Sequence, residues 1–261
     1  MNTGLLRRYN KIASAWNGDA YATLRRDDML PAIIEAVSIS SLPQQTKVLE
    51  AMCGTAKVGI ALKEAIEKSG KHCNLSLLDF SQAMLDQAAV AAEKICADAC
   101  EILLDSESFD LVLTRFGIHD IEQTKQLMAI REVLRVLTKD GRYVLVAFCS
   151  SAKTQFYYNR IANLKDELAG NKDSTDRYFP TEEEYLNLLR DAGFSSIGIK
   201  NHFFSRIKLQ ATGEMPEEKS KLWADFVSKI PSKIKKKMHI QKQANGSFEY
   251  DFPVAIFVAE K

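Results

Sequence analysis

Between residues 46 and 148 two hydrophobic rhythms alternate, and this constrains the fold more than any other feature. Apolar runs of strand length occupy 46–51, 74–79, 94–96, 109–114 and 142–148. Between them lie segments with helical spacing. Val58, Leu62, Ala65 and Ile66 mark a helix over 58–68 that Ser69-Gly70 stops. Ser81 is placed to cap a second helix with Met84, Leu85 and Ala88 on its apolar face. Leu127, Ile130, Val133, Leu134 and Leu137 mark a third over 122–137, with Lys139-Asp140-Gly141 as its end. Strands separated by helices are joined by crossovers, so the pattern predicts a parallel sheet with helices on both faces.

After Ser150 the rhythm changes. Helices are expected over 153–170 and 181–192, the latter starting at Thr181 before three glutamates. Two further strands are expected over 196–200 and 253–259, and a helix over 217–230. Residues 5–37 are helical in pattern, broken near Asn17-Gly18 and Pro31. The expectation is one α/β domain over 1–261, a doubly wound, seven-stranded, mostly parallel sheet with helical lid elements. Its parts would be an N-terminal helical cover at 1–42, a ligand-binding core at 46–150, and lid insertions at 151–180 and 202–250.

Composition removes several alternatives. The 261 residues carry 35 Lys+Arg against 34 Asp+Glu, a net charge of +1, so no global field favours nucleic acid. No apolar stretch approaches the roughly 20 residues that span a bilayer. Met1-Asn2-Thr3-Gly4 leads straight into charged residues, and no targeting segment is expected. Five cysteines without CxxC pairing read as reduced thiols of a cytoplasmic protein. Cys96 and Cys100 lie four apart without partners to complete a ligand set, so no metal is expected.

Chemistry concentrates at the strand ends, where ligands bind in open α/β sheets. Val48-Leu49-Glu50-Ala51-Met52-Cys53-Gly54-Thr55-Ala56 is a strand that ends in an acid and turns tightly into a helix. Asp79 closes the second strand, 25 residues past Gly54, where a carboxylate can take a ribose diol. Phe80 and Met84 can pack on an adenine, and Asp98 can accept from its amine. Arg115-Phe116-Gly117-Ile118-His119-Asp120 gives the fourth strand a polar mouth. The turn lacks the second half of a dinucleotide fingerprint, which disfavours NAD.

In order and spacing these pieces resemble the class I S-adenosylmethionine-dependent methyltransferases, in the small-molecule branch with ubiquinone/menaquinone and malonyl-carrier methyltransferases. The matching segments are Val48-Leu49-Glu50 with Cys53-Gly54-Thr55, Leu78-Asp79-Phe80-Ser81-Gln82-Ala83-Met84-Leu85, Asp98-Ala99, Ser108-Phe109-Asp110-Leu111-Val112 with Phe116-Gly117-Ile118-His119, and Glu132-Val133-Leu134-Arg135-Val136-Leu137 with Asp140-Gly141. The resemblance is good over 46–150 and weaker to the terminal strand. It implies a Rossmann-like methyltransferase fold and S-adenosylmethionine as cofactor. Glu50, Ala51, Cys53, Gly54, Asp79, Phe80, Met84, Asp98, Ala99, Arg115 and Phe116 would hold the cofactor. The departure is in the first turn, where the family usually has three glycines and this chain keeps Gly54 beside Met52 and Ala56.

His119 is the expected general base, with an unperturbed pKa near 6.5, and Arg115 the expected clamp for an acceptor carboxylate. Tyr9 and Trp16 resemble the family's aromatic cover over the cofactor, and Tyr157 and Tyr158 would line the acceptor. Each of these side chains also has a packing or capping role open to it. The expected function is methyl transfer to a small organic acceptor, with oxygen preferred. The alternatives are methyl esterification of an acyl carboxylate on an acidic carrier protein, and a non-catalytic module that only binds S-adenosylmethionine. The lysines between Lys219 and Lys242 suit the carrier reading or a solvated helix face.

Overall fold

The computed structural model describes residues 3–17, 29–168, 170, 177–209, 217–244 and 247–261. Helix α1 (Thr3–Ile12) leads through a short 3-10 turn to Trp16. Helix α2 (Leu30–Val37) has Pro31 in its first turn, where a missing N–H costs nothing, so Pro31 belongs to the start of this helix. The Asn17-Gly18 break lies partly outside the described residues.

Next come β1 (Gln45–Ala51), α3 (Lys57–Lys68), β2 (His72–Asp79), α4 (Gln82–Asp86), β3 (Glu93–Cys96), β4 (Phe109–Arg115), α5 (Gln126–Val136) and β5 (Leu137–Phe148). The second half holds α6 (Gln155–Leu168), α7 (Glu182–Ala192), β6 (Ser196–Leu209), α8 (Glu217–Lys229), α9 (Ser232–Lys237), the short β7 (Gln241–Lys242) and β8 (Phe248–Glu260). Among the described residues these strands form one sheet ordered β3-β2-β1-β4-β5-β8-β6, with β7 on β8. The β3-β2-β1-β4-β5 half is parallel, and β8 runs antiparallel to both β5 and β6. This is the doubly wound, seven-stranded Rossmann-like arrangement, extended by one short strand.

Apolar side chains bury both sheet faces. One core joins Val48, Leu77, Leu111, Val144 and Ile256 to α2 and α3, and the other joins Leu49, Leu78, Val112, Leu145 and Phe257 to α5 and α7. The alternation along each strand sorts neighbouring residues to opposite cores. Helix α7 starts with a capping box between Thr181 and Glu184, as its sequence predicts.

Two boundaries differ from expectation. Lys139-Asp140-Gly141 does not follow a helix that runs to Leu137; it lies inside β5, because Leu137 already pairs with Phe109. Strands β6 and β8 run far past Lys200 and Pro253, pairing Phe203 with Val254, Ser205 with Phe252 and Ile207 with Tyr250. The ends of the 202–250 segment, expected as lid, therefore belong to the sheet. A register shift between Ile199 and Asn201 interrupts the period-two pattern that would have revealed this.

Candidate functional site

The site forms where β1 and β2 end. From Ala51 the chain turns through Met52, Gly54 and Ala56, whose φ angles are 57°, 54° and 58°. All three are left-handed. That conformation is free for glycine and costs an ordinary residue about 1–2 kcal/mol. Met52 and Ala56 therefore keep the turn's path at the expense of strain. The Met52 side chain lies on Gly117, its sulfur 2.5 Å from where a Cβ at Gly117 would stand. It does not fill the space beside Gly54, where, among the described residues beyond its chain neighbours, a Cβ would find only the Trp16 Nε1 within 4.0 Å.

Both acids are buried. Glu50, 2% exposed, accepts a 3.0 Å hydrogen bond from the Gly59 N–H in the first turn of α3. Burial raises its pKa to about 8, against the pull of Arg115 and the Gly59 bond. Asp79 accepts from the Gly54 N–H at one oxygen (2.8 Å) and from the Ser81 N–H at the other (2.9 Å). Burial raises its pKa to about 6 despite those bonds. Each carboxylate oxygen has a second lone pair for a ligand.

The N-terminal cover lies against this turn. Tyr9 meets Trp16 and Phe80 edge-on, with centroids 6.1 Å and 5.6 Å apart. The Ser81 hydroxyl, which also caps α4 at Met84, donates to Asn10, and the Thr55 hydroxyl donates to Asn17. Met84 is buried against Ile12 and Ala13. Cys53 is buried, its N–H bonded to the Leu78 carbonyl, and the Ala97 N–H bonds the Asp79 carbonyl, which sets Asp98 and Ala99 beside the end of β2.

A second group of side chains gathers at the ends of β4 and β5. Arg115 lies over the Phe116 ring at 5.3 Å, and Phe116 stacks on Phe148 at 4.1 Å. His119 stacks on Phe179 at 4.5 Å and meets Phe148 edge-on. Burial lowers the His119 pKa and holds the ring neutral. Its Nδ1 has no hydrogen-bond partner among the described residues, and its Nε2 is 3.8 Å from Asp120.

The structure thus brings Glu50, Gly54, Asp79 and Phe80 together under Tyr9 and Trp16, with Arg115, Phe116 and His119 one strand away. It does not bring Tyr158 to this space. That ring is buried on Phe252, 4.1 Å away, and its hydroxyl donates to the Asp251 carbonyl. Tyr157 is half-buried, edge-on to exposed Phe156. Sequence reasoning missed Gly59, Asn10 and Asn17, and gave Asp120 no role beyond the polar mouth of the fourth strand. Only Gly59, nine residues beyond Glu50 in the next helix, left a local signal. No cluster of three metal-ligating side chains occurs among the described residues.

The arrangement fits a nucleoside with a cationic end. It has a glycine turn that no described side chain obstructs, a carboxylate at the end of β2, a second buried carboxylate, and a cover of aromatic rings. Comparison with known proteins agrees. Residues 32–211 match the ubiE/COQ5 methyltransferase family. The ubiquinone/menaquinone biosynthesis C-methyltransferase UbiE of Rickettsia rickettsii is 26% identical over 176 residues, 59% of this chain and 70% of that protein. The YcgJ protein of Bacillus subtilis has the same fold, with a TM-score of 0.74 over 90% of this chain and 98% of that one at 16% identity. The 1,6-didemethyltoxoflavin-N1-methyltransferase of Burkholderia thailandensis, solved with S-adenosylhomocysteine, aligns at a TM-score of 0.54 over 99% and 87% of the two chains, at 13% identity. The chain belongs to the ubiE/COQ5 methyltransferase family and is an S-adenosylmethionine-dependent methyltransferase.

Proposed function

We propose that this enzyme methylates a carbon atom of a small, planar, electron-rich ring. In this reading Asp79 holds the ribose diol and Glu50 the methionyl ammonium. Phe80, Met84, Asp98 and Ala99 enclose the adenine, and Ala51, Cys53 and Gly54 form the floor. S-adenosylmethionine supplies, when bound, a methyl group activated by a positive sulfur. The chain's own tasks are alignment, exclusion of water and handling of one proton.

The observation that carries the acceptor class is the aromatic wall at the ends of β4 and β5, built from Phe116 on Phe148 and His119 on Phe179. A flat apolar ring packs well on such a surface. The UbiE relatives are named C-methyltransferases, which supports carbon as the acceptor atom. Neutral His119 is suited to take the proton of a ring hydroxyl, which raises the electron density of the ring carbons. Oxygen is the second reading, because the same deprotonated hydroxyl is itself a nucleophile. The carrier-bound carboxylate draws its support from Lys233, Lys235, Lys236 and Lys237, clustered on α9. Five free thiols support a reducing, cytoplasmic setting.

The test is turnover with methyl-labelled S-adenosylmethionine across hydroquinones, phenols and acyl-carrier carboxylates, with the product bond assigned by NMR. Ring-methylated hydroquinone is the expected product. Label found only in methoxy groups or methyl esters sinks the carbon assignment.

A further inference from the structure

Five side chains from four segments close into a ring next to the nucleoside crevice. The Tyr9 hydroxyl donates to one oxygen of Asp120 at 2.5 Å. The other Asp120 oxygen lies 3.0 Å from the Arg177 Nε, which is 3.3 Å from Asp166. The same Asp166 oxygen accepts from Arg8 at 3.2 Å. Arg8 and Tyr9 are neighbours on α1, so the ring closes through the backbone.

The four charged side chains are 6–15% exposed, and within the ring itself two cations face two anions. Buried ion pairs contribute little net stability, since desolvation offsets attraction, and apolar packing serves at least as well. They differ from apolar packing in what happens on opening. Charges paired when shut regain water when open, so such a ring can open and reclose.

Its members sit where closure matters. Arg8 and Tyr9 belong to the N-terminal cover, and the Tyr9 ring touches both Phe80 and Trp16. Asp120 belongs to the turn that carries His119. Asp166 is near the end of α6, and Arg177 precedes Tyr178, whose N–H bonds the His119 carbonyl. One carboxylate, Asp120, therefore meets both covers, accepting the Tyr9 hydrogen bond at one oxygen and facing Arg177 at ion-pair distance, without a hydrogen bond, at the other.

We infer that Asp120 is the positioning residue that shuts the N-terminal cover over the nucleoside crevice, and that Arg177 ties this closure to the second cover, so that cofactor and product exchange when the ring opens. The inference rests on the crevice being the cofactor site.

The test is the release rate of S-adenosylhomocysteine, followed by stopped-flow tryptophan fluorescence with Trp16 as the local reporter, in wild type, Tyr9→Phe and Asp120→Asn. Release should quicken about tenfold or more in both variants, the effect of losing a hydrogen bond to a charged group. Arg177→Lys, which keeps the charge but loses the guanidinium that faces both acids, should fall between them and wild type. A role in folding alone would lower the melting temperature and leave release unchanged. Should Asp120→Asn fail to fold, Tyr9→Phe decides, because it keeps the ring edge-on to Phe80. Unchanged release in variants that bind overturns the closure role and leaves the cofactor site standing. A wild type that does not bind S-adenosylhomocysteine overturns both.

Discussion

Ala56 holds a φ of 58° with its side chain fully buried, while its carbonyl starts α3 by accepting from Ile60. The left-handed conformation costs an alanine about 1–2 kcal/mol, whereas glycine gives back about 0.5–1 kcal/mol through its freer unfolded chain. Ala56→Gly should therefore stabilise the protein by up to about 1 kcal/mol in urea unfolding, with cofactor affinity kept. A loss of stability would show that the methyl group's packing outweighs the strain. At the other end of the site, His119 is neutral and buried between Phe179 and Phe148, which suits it to accept a proton. His119→Ala should lower kcat by about 10²- to 10⁴-fold, the usual share of a general base. Affinity for S-adenosylmethionine, measured by calorimetry, should not change. Full turnover in the variant would leave His119 as a packing residue.

Helix α3 shows how an element can aim a side chain. Gly59 lies in its first turn, donates its N–H to Glu50, and has that carboxylate where its own Cβ would stand. An alanine in a helix interior normally gains about 1 kcal/mol over glycine. Here it must displace a buried carboxylate, an overpacking cost of about 1–3 kcal/mol, and the cost should win. Gly59→Ala should lower the melting temperature and weaken S-adenosylmethionine binding together. A simple gain in stability would mean that Glu50 has room to move. Elements of this kind are legible in sequence because helix and strand write different periods, and α3, α7 and β1 to β4 follow theirs closely. The end of α5 is not legible, because Leu137 fits its apolar stripe and is claimed by pairing with Phe109 instead. The outer halves of β6 and β8 are hidden by a register shift and by polar Ser205 on the buried face. Glu50, Gly54 and Asp79 were readable because each closes a strand or opens a turn. The bond from Tyr9 to Asp120 spans 111 residues, and contacts of that range leave no local pattern.

For the molecule as a whole, the two buried acids make folding and ligand binding depend on pH in opposite ways. The pKa of Glu50 rises from 4.5 to about 8 and that of Asp79 from 3.8 to about 6, in both cases chiefly by burial. Between its unfolded and folded pKa, each group keeps a proton in the folded state that the unfolded chain has lost. The stability these groups allow is fully present below about pH 4. It falls as pH rises, by up to about 1.4 kcal/mol per pH unit for each group still protonated only in the folded protein. Asp79 stops contributing near pH 6 and Glu50 near pH 8. A ligand that carries positive charge and donates to both carboxylates needs them ionised, so its binding expels the retained protons. Two consequences can be measured between pH 5 and 7.5. The ligand-free protein should melt progressively lower as pH rises, while the upward shift produced by saturating S-adenosylmethionine grows. At pH 7, titration calorimetry in buffers of different ionisation enthalpy should detect release of close to one proton, contributed by Glu50, and Glu50→Gln should abolish it. Proton release that survives in Glu50→Gln, or a thermal shift that shrinks with rising pH, would place the cationic end of the cofactor away from Glu50.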